Sequence, residues 1–322
     1  MILLLPNAAG VDTLYTVVKA AFRMSDPESA AEEQVPVAMA DQYHGDPATS
    51  SIRGPTDVCL GKPGTDVLLV GSAWAPNGQP IWQMDVSITV GSLGKALRVS
   101  GDRVWSTRGG VGTIDWLTPF TRMPLTWERA YGGFEETESG RYMDPRNPVG
   151  TGFRAPKGTR GVDGMAVANI ESHSELISSP GDRPAPAGFA PIAPHWQPRV
   201  SYAGTYDESW QSARAPYLPD DFDPRFFHVA PNGLSSSTPL EGGERVELRG
   251  VTPSGFASFY LPRRQVRVDY HVAGTVESRP GKLETVLFEP DADRFVMVWR
   301  TELQCDKRAL KISKVETTVS EA

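Results

Sequence analysis

The stretch Met84-Asp85-Val86-Ser87-Ile88-Thr89-Val90 alternates apolar and polar side chains with a period of two residues. A β-strand places successive side chains on opposite faces, so this alternation buries one face of a strand and leaves the other in water. Half-buried strands of this kind are typical of antiparallel sheets, because parallel sheets are covered on both faces. The stretch therefore predicts a mainly β protein built from antiparallel strands.

Similar strand patterns, bounded by Gly, Pro, Asn or Ser, lie on both sides of this stretch. They cover residues 15–22, 66–74, 81–90 and 95–105 in the first part of the chain, and residues 245–251, 256–261, 266–272, 283–289 and 294–302 in the last part. Turn residues predict one hairpin at residues 100–103 and another at residues 289–293. Because strands occupy both ends of the chain, we expect the terminal strands to come together in an antiparallel, sandwich-like scaffold.

The middle of the chain, residues 107–240, holds 31 of the 59 glycines and prolines and has little clean periodicity. Its aromatic side chains supply too much apolar area for a segment that stays solvated, so we expect a long but ordered loop region. The predicted organisation is a single domain over residues 1–322. It comprises a strand-rich part at 1–106, an irregular insert at 107–240, a second strand-rich part at 241–302 and a fraying tail at 303–322.

One or two short helices are predicted within this scaffold. Asp26 followed by Pro27 offers an N-cap with proline at the first helical position, which places a helix at residues 28–34. Asp207 is the predicted N-cap of a helix at residues 208–214, which Pro216 ends. The glycines of Gly132-Gly133 and Gly150-Thr151-Gly152 predict backbone positions that need positive φ or a close approach.

Composition argues against several classes of protein. The net charge of −7 argues against a nucleic-acid binder, and the two distant cysteines form neither a disulfide framework nor a zinc motif. No apolar run approaches the ~20 residues of a membrane span, and Met1-Ile2-Leu3-Leu4-Leu5-Pro6 lacks the positive start of a secretion signal. We therefore expect a cytoplasmic protein without membrane, metal or cofactor.

Carboxylates beside aromatic residues are the arrangement in this sequence that best fits catalysis. Glu128, Glu171 and Asp207 have this setting, and a glycoside hydrolase uses two such acids to protonate a leaving group and activate water. A carbohydrate-active hydrolase is therefore the alternative hypothesis. The structural explanation is favoured, because Glu128-Arg129 suits a buried ion pair and Asp207 suits a helix cap. His173 is the best candidate metal ligand, but metal sites need several convergent ligands.

The cluster Arg263, Arg264 and Arg267 has two explanations. Alternation with Val266 and Val268 indicates the solvated side of a strand, which is the favoured explanation, whereas the concentration of charge would also suit contact with an acidic partner.

A series of motifs recurs in order across nearly the whole chain. They are Lys62-Pro63-Gly64-Thr65-Asp66 leading into Val70-Gly71, Pro124-Leu125-Thr126-Trp127-Glu128-Arg129-Ala130-Tyr131-Gly132-Gly133, Asn147-Pro148-Val149-Gly150 with Gly152-Phe153, Asn169-Ile170-Glu171, Gly188-Phe189-Ala190-Pro191-Ile192, Trp196 with Arg199, Gly204-Thr205-Tyr206-Asp207 with Trp210, Leu218-Pro219-Asp220-Asp221-Phe222, Phe226-Phe227, Ala230-Pro231 and Val298-Trp299-Arg300. With these motifs the sequence resembles a bacterial family of unknown function that is encoded in type VI secretion gene clusters. Members of this family are regarded as effector-loading adaptors or chaperones.

The resemblance implies a cytoplasmic protein that binds a toxin effector, commonly one with a PAAR-type domain, and helps to place it on the PAAR-type or VgrG-type secretion spike. It supplies no catalytic residues, so we expect a non-catalytic adaptor. A purely structural spike component is a further alternative. The candidate residues for the loop scaffold or for client contact are Trp127, Glu128, Arg129, Tyr131, Asn147, Glu171, Trp196, Arg199, Tyr206, Asp207 and Trp210.

Overall fold

The computed structural model describes residues 1–108, 111–156 and 161–321. Strands predominate there and helices are short, which confirms the predicted mainly β fold. The strands of the first part are β1 (Ile2–Pro6), β2 (Asp12–Arg23), β3 (Gln42–Tyr43), β4 (Ile52–Gly54), β5 (Asp66–Leu69), β6 (Ser72–Trp74), β7 (Gln83–Val90), β8 (Leu93–Ser100) and β9 (Asp102–Arg108).

The middle of the chain contains shorter elements. They are β10 (Val111–Thr118), β11 (Arg122–Pro124), β12 (Tyr131–Gly132), β13 (Phe134–Thr137), β14 (Gly140–Met143), β15 (Thr151–Gly152), β16 (Ala166–Val167), β17 (Ile170–Ser172) and the helix α1 (Glu208–Ala213). The last part contains β18 (Arg245–Arg249), β19 (Phe256–Tyr260), β20 (Arg264–Val272), β21 (Thr275–Pro280), β22 (Lys282–Glu289), β23 (Arg294–Gln304) and β24 (Ile312–Glu321). Short 3₁₀ segments lie at Pro76–Gly78, Trp127–Arg129, Arg199–Tyr202, Pro224–Phe227, Pro290–Ala292 and Asp306–Lys311.

One five-stranded sheet joins the two ends of the chain in the order β1-β2-β23-β22-β5, and we call it the terminal sheet. β2 runs antiparallel to β23 from Thr13 opposite Gln304 to Arg23 opposite Arg294, so the terminal strands do come together as predicted. β22 and β23 form the predicted hairpin. β5 runs parallel to β22, so this sheet is mixed and not purely antiparallel.

A second five-stranded sheet has the order β17-β8-β7-β18-β19. In β7, Val86 and Ile88 are buried whereas Asp85 is exposed, which confirms the predicted alternation. Phe259 of this sheet packs against Phe288 and Phe295 of the terminal sheet, with ring centroids 6.2 and 5.3 Å apart. Both sheets therefore contribute to one apolar core, in a sandwich-like arrangement.

The predicted fraying tail is wrong, because its second half forms the strand β24. β24 pairs antiparallel with β20 from Ile312 opposite Val272 to Glu321 opposite Arg264, in a three-stranded sheet of order β21-β20-β24. The β-branched residues of this segment favour a strand, and β20 offers it an edge to pair with.

The hairpin predicted at residues 100–103 is also wrong. β8 pairs with β7 and β17, whereas β9 pairs with β10 and β16, so the chain passes from one sheet into another. The backbone N–H of Gly101 donates to the Trp82 carbonyl, and a Cβ at Gly101 would lie 2.2 Å from the Thr118 carbonyl oxygen. Close packing between sheets therefore explains this glycine. The predicted strand 66–74 is likewise divided, into β5 and β6.

Of the two predicted helices, only the second forms. Residues 28–34 run beside β2 as bends and turns, with Ala30 bridged to Phe22 and the Gln34 side chain bonded to the backbone of Ala21. These contacts take the segment away from helical geometry. The second helix is α1, and the Asp207 carboxylate accepts a hydrogen bond from the Trp210 N–H at 2.8 Å as an N-cap does.

Candidate functional site

Buried polar side chains hold the loops of residues 107–240, which we call the central region. The amide of Asn147 is fully buried and donates to the carbonyls of Trp127 at 2.8 Å and Tyr131 at 3.0 Å. The indole N–H of Trp127 in turn donates to the Ala190 and Pro191 carbonyls. Three loop segments that are distant in sequence are thereby fixed to one another.

Glycine is required where these loops meet. Gly132 has φ of 146°, and a Cβ there would lie 2.2 Å from the Asn147 carbonyl oxygen. Gly133 has φ of 98°, and a Cβ at Gly150 would lie 2.7 Å from the Ala130 carbonyl oxygen. The predicted need for positive φ or close approach is confirmed.

Glu171 lies in a buried ion pair. Its carboxylate contacts the Arg103 guanidinium at 2.6 Å and accepts from the Ile177 N–H at 2.7 Å. Arg103 also donates to the carbonyl of Ala168. The ion pair therefore joins β17 to β9 and to the loop that follows β17.

Glu128 is also engaged by a structural partner. Its two carboxylate oxygens accept from the Ser51 N–H at 2.7 Å and the Ser51 hydroxyl at 2.9 Å. Burial raises the pKa of Glu128, but these hydrogen bonds outweigh burial and leave the pKa lower than usual. A general acid needs the opposite shift, so Glu128 does not suit that role, and the hydrolase alternative stays a prediction. Arg129 contacts Asp102 and Asn169 instead of Glu128.

Of the eleven candidate residues, the structure buries six: Trp127, Tyr131, Asn147, Glu171, Trp196 and Arg199. These six serve the loop scaffold and have little surface for a client. Glu128, Arg129 and Trp210 are partly exposed, whereas Tyr206 and Asp207 are exposed. Tyr206 packs its ring edge to face with Trp210, with centroids 4.8 Å apart, beside the Asp207 cap of α1. Client contact stays a prediction for these five.

The motif Lys62-Pro63-Gly64-Thr65-Asp66 has a clear structural role. Asp66 is fully buried and contacts the Lys62 ammonium at 2.7 Å, the His228 ring at 2.7 Å and the Val229 N–H at 2.8 Å. Burial raises the pKa of Asp66, but the Lys62 charge and the His228 hydrogen bond outweigh it and hold the pKa well below its usual value. This cluster, which we call the Asp66 junction, fixes the central region to the terminal sheet.

A second buried ion pair supports the same sheet. Arg300 of β23 contacts Glu284 of β22 at 2.7 Å and donates to the Asp57 carbonyl at 2.7 Å. The other oxygen of Glu284 accepts from the Lys62 N–H at 2.9 Å. The motif that begins at Lys62 and the motif that ends at Arg300 therefore both contact the Glu284 carboxylate.

The exposed apolar surface of the central region was not identifiable from the sequence. On β10, Val111, Trp116 and Leu117 are 64, 41 and 56% exposed, and the Trp116 ring contacts exposed Trp82 with centroids 5.9 Å apart. In the sheet order β10-β9-β16, the outer side of β10 pairs with no other described strand. We call these four residues the β10 edge.

A groove of about 800 Å³ lies elsewhere on the central region, and we call it the central groove. Trp127 and Arg199 line it, together with Lys95 of β8 and His228 of the Asp66 junction. Burial lowers the pKa of Lys95 to about 8. Side chains with positive charge and little solvent could hold an anionic group here.

The arginine cluster of β20 lines a third part of the surface. Arg263, Arg264 and Arg267 border a groove of about 1000 Å³ with Arg279 and Lys282. Arg263 and Arg267 are exposed, as the solvated-strand explanation requires. Arg264 differs, because its side chain is mostly buried and forms ion pairs with two glutamates.

The described residues contain no group of three or more His, Cys, Asp or Glu side chains that could hold a metal ion. His173 is exposed, and its ring lies 3.5 Å from Asp85. Helices long and apolar enough to cross a membrane are absent from the part of the chain that the structure describes.

The comparisons with known proteins identify a bacterial family. Residues 9–300 match the family model described as an uncharacterized protein conserved in bacteria, DUF2169. The match covers most of the chain, so the protein belongs to this family. No curated protein and no solved structure matches the chain.

Proposed function

We propose that this protein is a non-catalytic adaptor that binds a toxin effector of a type VI secretion system in the bacterial cytoplasm and loads it onto the spike. The observation that carries the proposal is the β10 edge, where apolar side chains are exposed on a strand whose outer side pairs with no other strand of the described residues. Such edges bind extended segments of other proteins, and aromatic side chains are frequent anchors of protein interfaces.

The contacts of the central region support the same proposal. Asn147, Glu171 and Arg199 keep the loops in fixed positions, and a fixed surface loses little conformational entropy when it binds a partner. Glu128, Glu171 and Asp207 each serve a structural contact, so the acids that a hydrolase would use are already engaged.

The test first identifies a candidate toxin and spike component among the neighbouring genes, then co-expresses them with this protein and purifies the protein by an affinity tag. The wild type recovers the toxin and a spike component. Leu117→Asp places a charge on the β10 edge and lowers toxin recovery at least tenfold, because interface anchors contribute about 2 kcal/mol or more.

The matched control is Leu310→Asp, since Leu310 is 100% exposed and lies outside the central region. It leaves toxin recovery unchanged. Failure of the wild type to recover any toxin would contradict the adaptor proposal. Secretion of the protein in fixed ratio to the spike would instead favour a structural spike component.

A further inference from the structure

The charged side chains that line the central groove are mainly basic. Four lining residues carry fixed positive charge and only Glu175 is acidic; the basic residues are Lys95, Arg146, Arg199 and Arg225. Glu175 is engaged already, because its carboxylate accepts from the Ala185 N–H at 2.6 Å. Counter-charges therefore decide which of these cations remain available to a ligand.

Two of the four cations are neutralised by acids next to them in sequence. Arg146 contacts Asp144 at 2.6 Å, and Arg225 contacts Asp223 at 2.5 Å. His228, which also lines the groove, is bonded to Asp66 of the Asp66 junction.

Lys95 has no such partner. Its ammonium group contacts the Asn232 carbonyl at 3.3 Å, and no described carboxylate lies within ion-pair distance of it. Burial in the groove has already removed much of the water that stabilises this charge, as its lowered pKa reflects. A partly desolvated ammonium without a counter-ion is costly to the free protein, and an incoming anion relieves that cost.

Arg199 is the second cation of the groove without a direct ion pair among the described residues. It is buried, and its guanidinium donates to the carbonyls of Ile192 at 2.6 Å and Phe226 at 3.0 Å. These carbonyls fix the side chain, while the charges of Asp41 and Asp66 act on it beyond ion-pair distance. The groove thus contains one cation without a nearby carboxylate, Lys95, and a second cation that is rigidly held.

We propose that the central groove binds a carboxylate-bearing, extended segment of a partner protein, with Lys95 as the direct ligand of the carboxylate and Arg199 as a supporting charge. Pro186, Pro198 and Tyr202 line the same groove and give apolar surface for the rest of the segment. The inference rests on the proposed function, because it places this segment in the client toxin. A polyanion such as nucleic acid is disfavoured by the net charge of −7.

The test uses the full chain, two labelled peptides and two competitors in fluorescence-anisotropy titrations. The peptides are a ten-residue peptide of alternating Glu and Leu and the same peptide with Gln in place of Glu, and the competitors are inorganic phosphate and free glutamate. The Glu peptide binds the wild type, and the Gln peptide binds at least tenfold more weakly. Lys95→Met keeps the apolar stem of the side chain and weakens the Glu peptide at least about tenfold, since a hydrogen bond to a charged group is lost.

Lys314→Met makes the same chemical change on exposed β24, outside the groove, and leaves binding unchanged. Equal binding of the Gln peptide, unchanged binding by Lys95→Met, or no binding of the Glu peptide at millimolar concentration would each overturn the proposal. Displacement of the Glu peptide by inorganic phosphate at a lower concentration than free glutamate would overturn it in favour of a phosphate site.

Toxin recovery separates this inference from the adaptor proposal. If the wild type and Lys95→Met recover the toxin equally, the groove inference fails and the adaptor proposal stands. If the wild type recovers no toxin while the peptide results hold, the adaptor proposal fails and the groove still binds carboxylates.

Discussion

The terminal sheet and the central region are ordered by different kinds of contact. In the terminal sheet, β2 and β23 pair over eleven consecutive positions, and apolar side chains such as Phe288 and Phe295 pack beneath them. In the central region, order depends on single polar side chains such as Asn147, which bonds two loop carbonyls. Apolar packing is shared among many neighbours, whereas a buried amide has no substitute if it is removed.

This difference between the terminal sheet and the central region predicts which substitutions each of them tolerates. Loss of one position in a strand pair leaves the remaining pairs in place, but loss of the Asn147 side chain removes the hydrogen bonds that join two loop carbonyls to a third segment. The Asp66 junction connects both regions, since Lys62 and Asp66 lead into the sheet and His228 comes from the loops. Substitutions at the Asp66 junction, at a buried donor of the loops and at the cap of α1 therefore test this difference between the two regions.

The largest effect is expected at the Asp66 junction. Asp66→Ala leaves the Lys62 ammonium buried without its counter-ion, which lowers the free energy of unfolding by about 3–5 kcal/mol. Urea unfolding followed by circular dichroism and by tryptophan fluorescence measures the loss, and both signals shift together because the junction serves both regions. The control Asp85→Ala removes an exposed acid and changes stability by less than about 1 kcal/mol. A shift in only one signal would show that the two regions unfold independently.

Lowering the pH should weaken the Asp66 junction in the wild-type protein without a large change in structure. The folded pKa of Asp66 lies below its ordinary value of 3.8, so its contribution to stability is complete above about pH 4 and is lost as the pH falls toward the folded pKa. The urea midpoint of the wild type therefore drops between pH 4 and pH 2. Asp66→Asn removes this titration, and its midpoint changes less over the same interval. Equal slopes for the two proteins would contradict the assigned role.

A smaller effect is expected in the loops alone. Asn147→Ala removes both amide donors and lowers the free energy of unfolding by about 1–3 kcal/mol, because the buried Tyr131 carbonyl loses this partner and the Trp127 carbonyl keeps only the Ala130 N–H. Limited proteolysis should then cut within residues 107–240 before it cuts the terminal sheet. Asn232→Ala, at an exposed asparagine, provides the control. Unchanged protease resistance would mean that the loops do not depend on this amide.

The smallest effect is expected at α1. Asp207→Ala removes the N-cap of a six-residue helix and costs about 1 kcal/mol of local stability. Hydrogen exchange of the α1 amides becomes faster, while exchange in β2 and β23 stays the same. Asp207→Asn keeps a capping oxygen and leaves the exchange rates close to those of the wild type. Faster exchange in β23 would show that the helix is coupled to the sheet.

Local sequence signals predicted the elements that local contacts define. Alternation identified β7, turn residues identified the β22–β23 hairpin, and Asp207 identified α1, because each signal acts within a few residues. β24 was missed because it depends on the edge of β20, about fifty residues earlier in the chain. At residues 100–103, the Gly-Asp pair looks like a hairpin turn in the sequence, but the chain there passes from one sheet into another.

The candidate site was only partly predictable for a related reason. The sequence motifs singled out Trp127, Asn147 and Arg199, but a sequence does not say whether an aromatic or charged residue is buried, and the structure buries all three. Trp116 and Leu117 are as apolar as core residues, and only the fold shows them exposed. Lys95 stands in an ordinary strand pattern, and its missing counter-ion depends on loops more than one hundred residues away.

Pairing of β2 with β23 has a consequence for biosynthesis. Strand β2 leaves the ribosome long before its partner β23, because the central region is synthesised between them. Until β23 is synthesised, the nascent polypeptide exposes the apolar side chains of an incomplete sheet. Such a polypeptide is prone to aggregation and to binding by chaperones. Premature termination just before β23 would therefore yield an insoluble fragment rather than a shortened but working product.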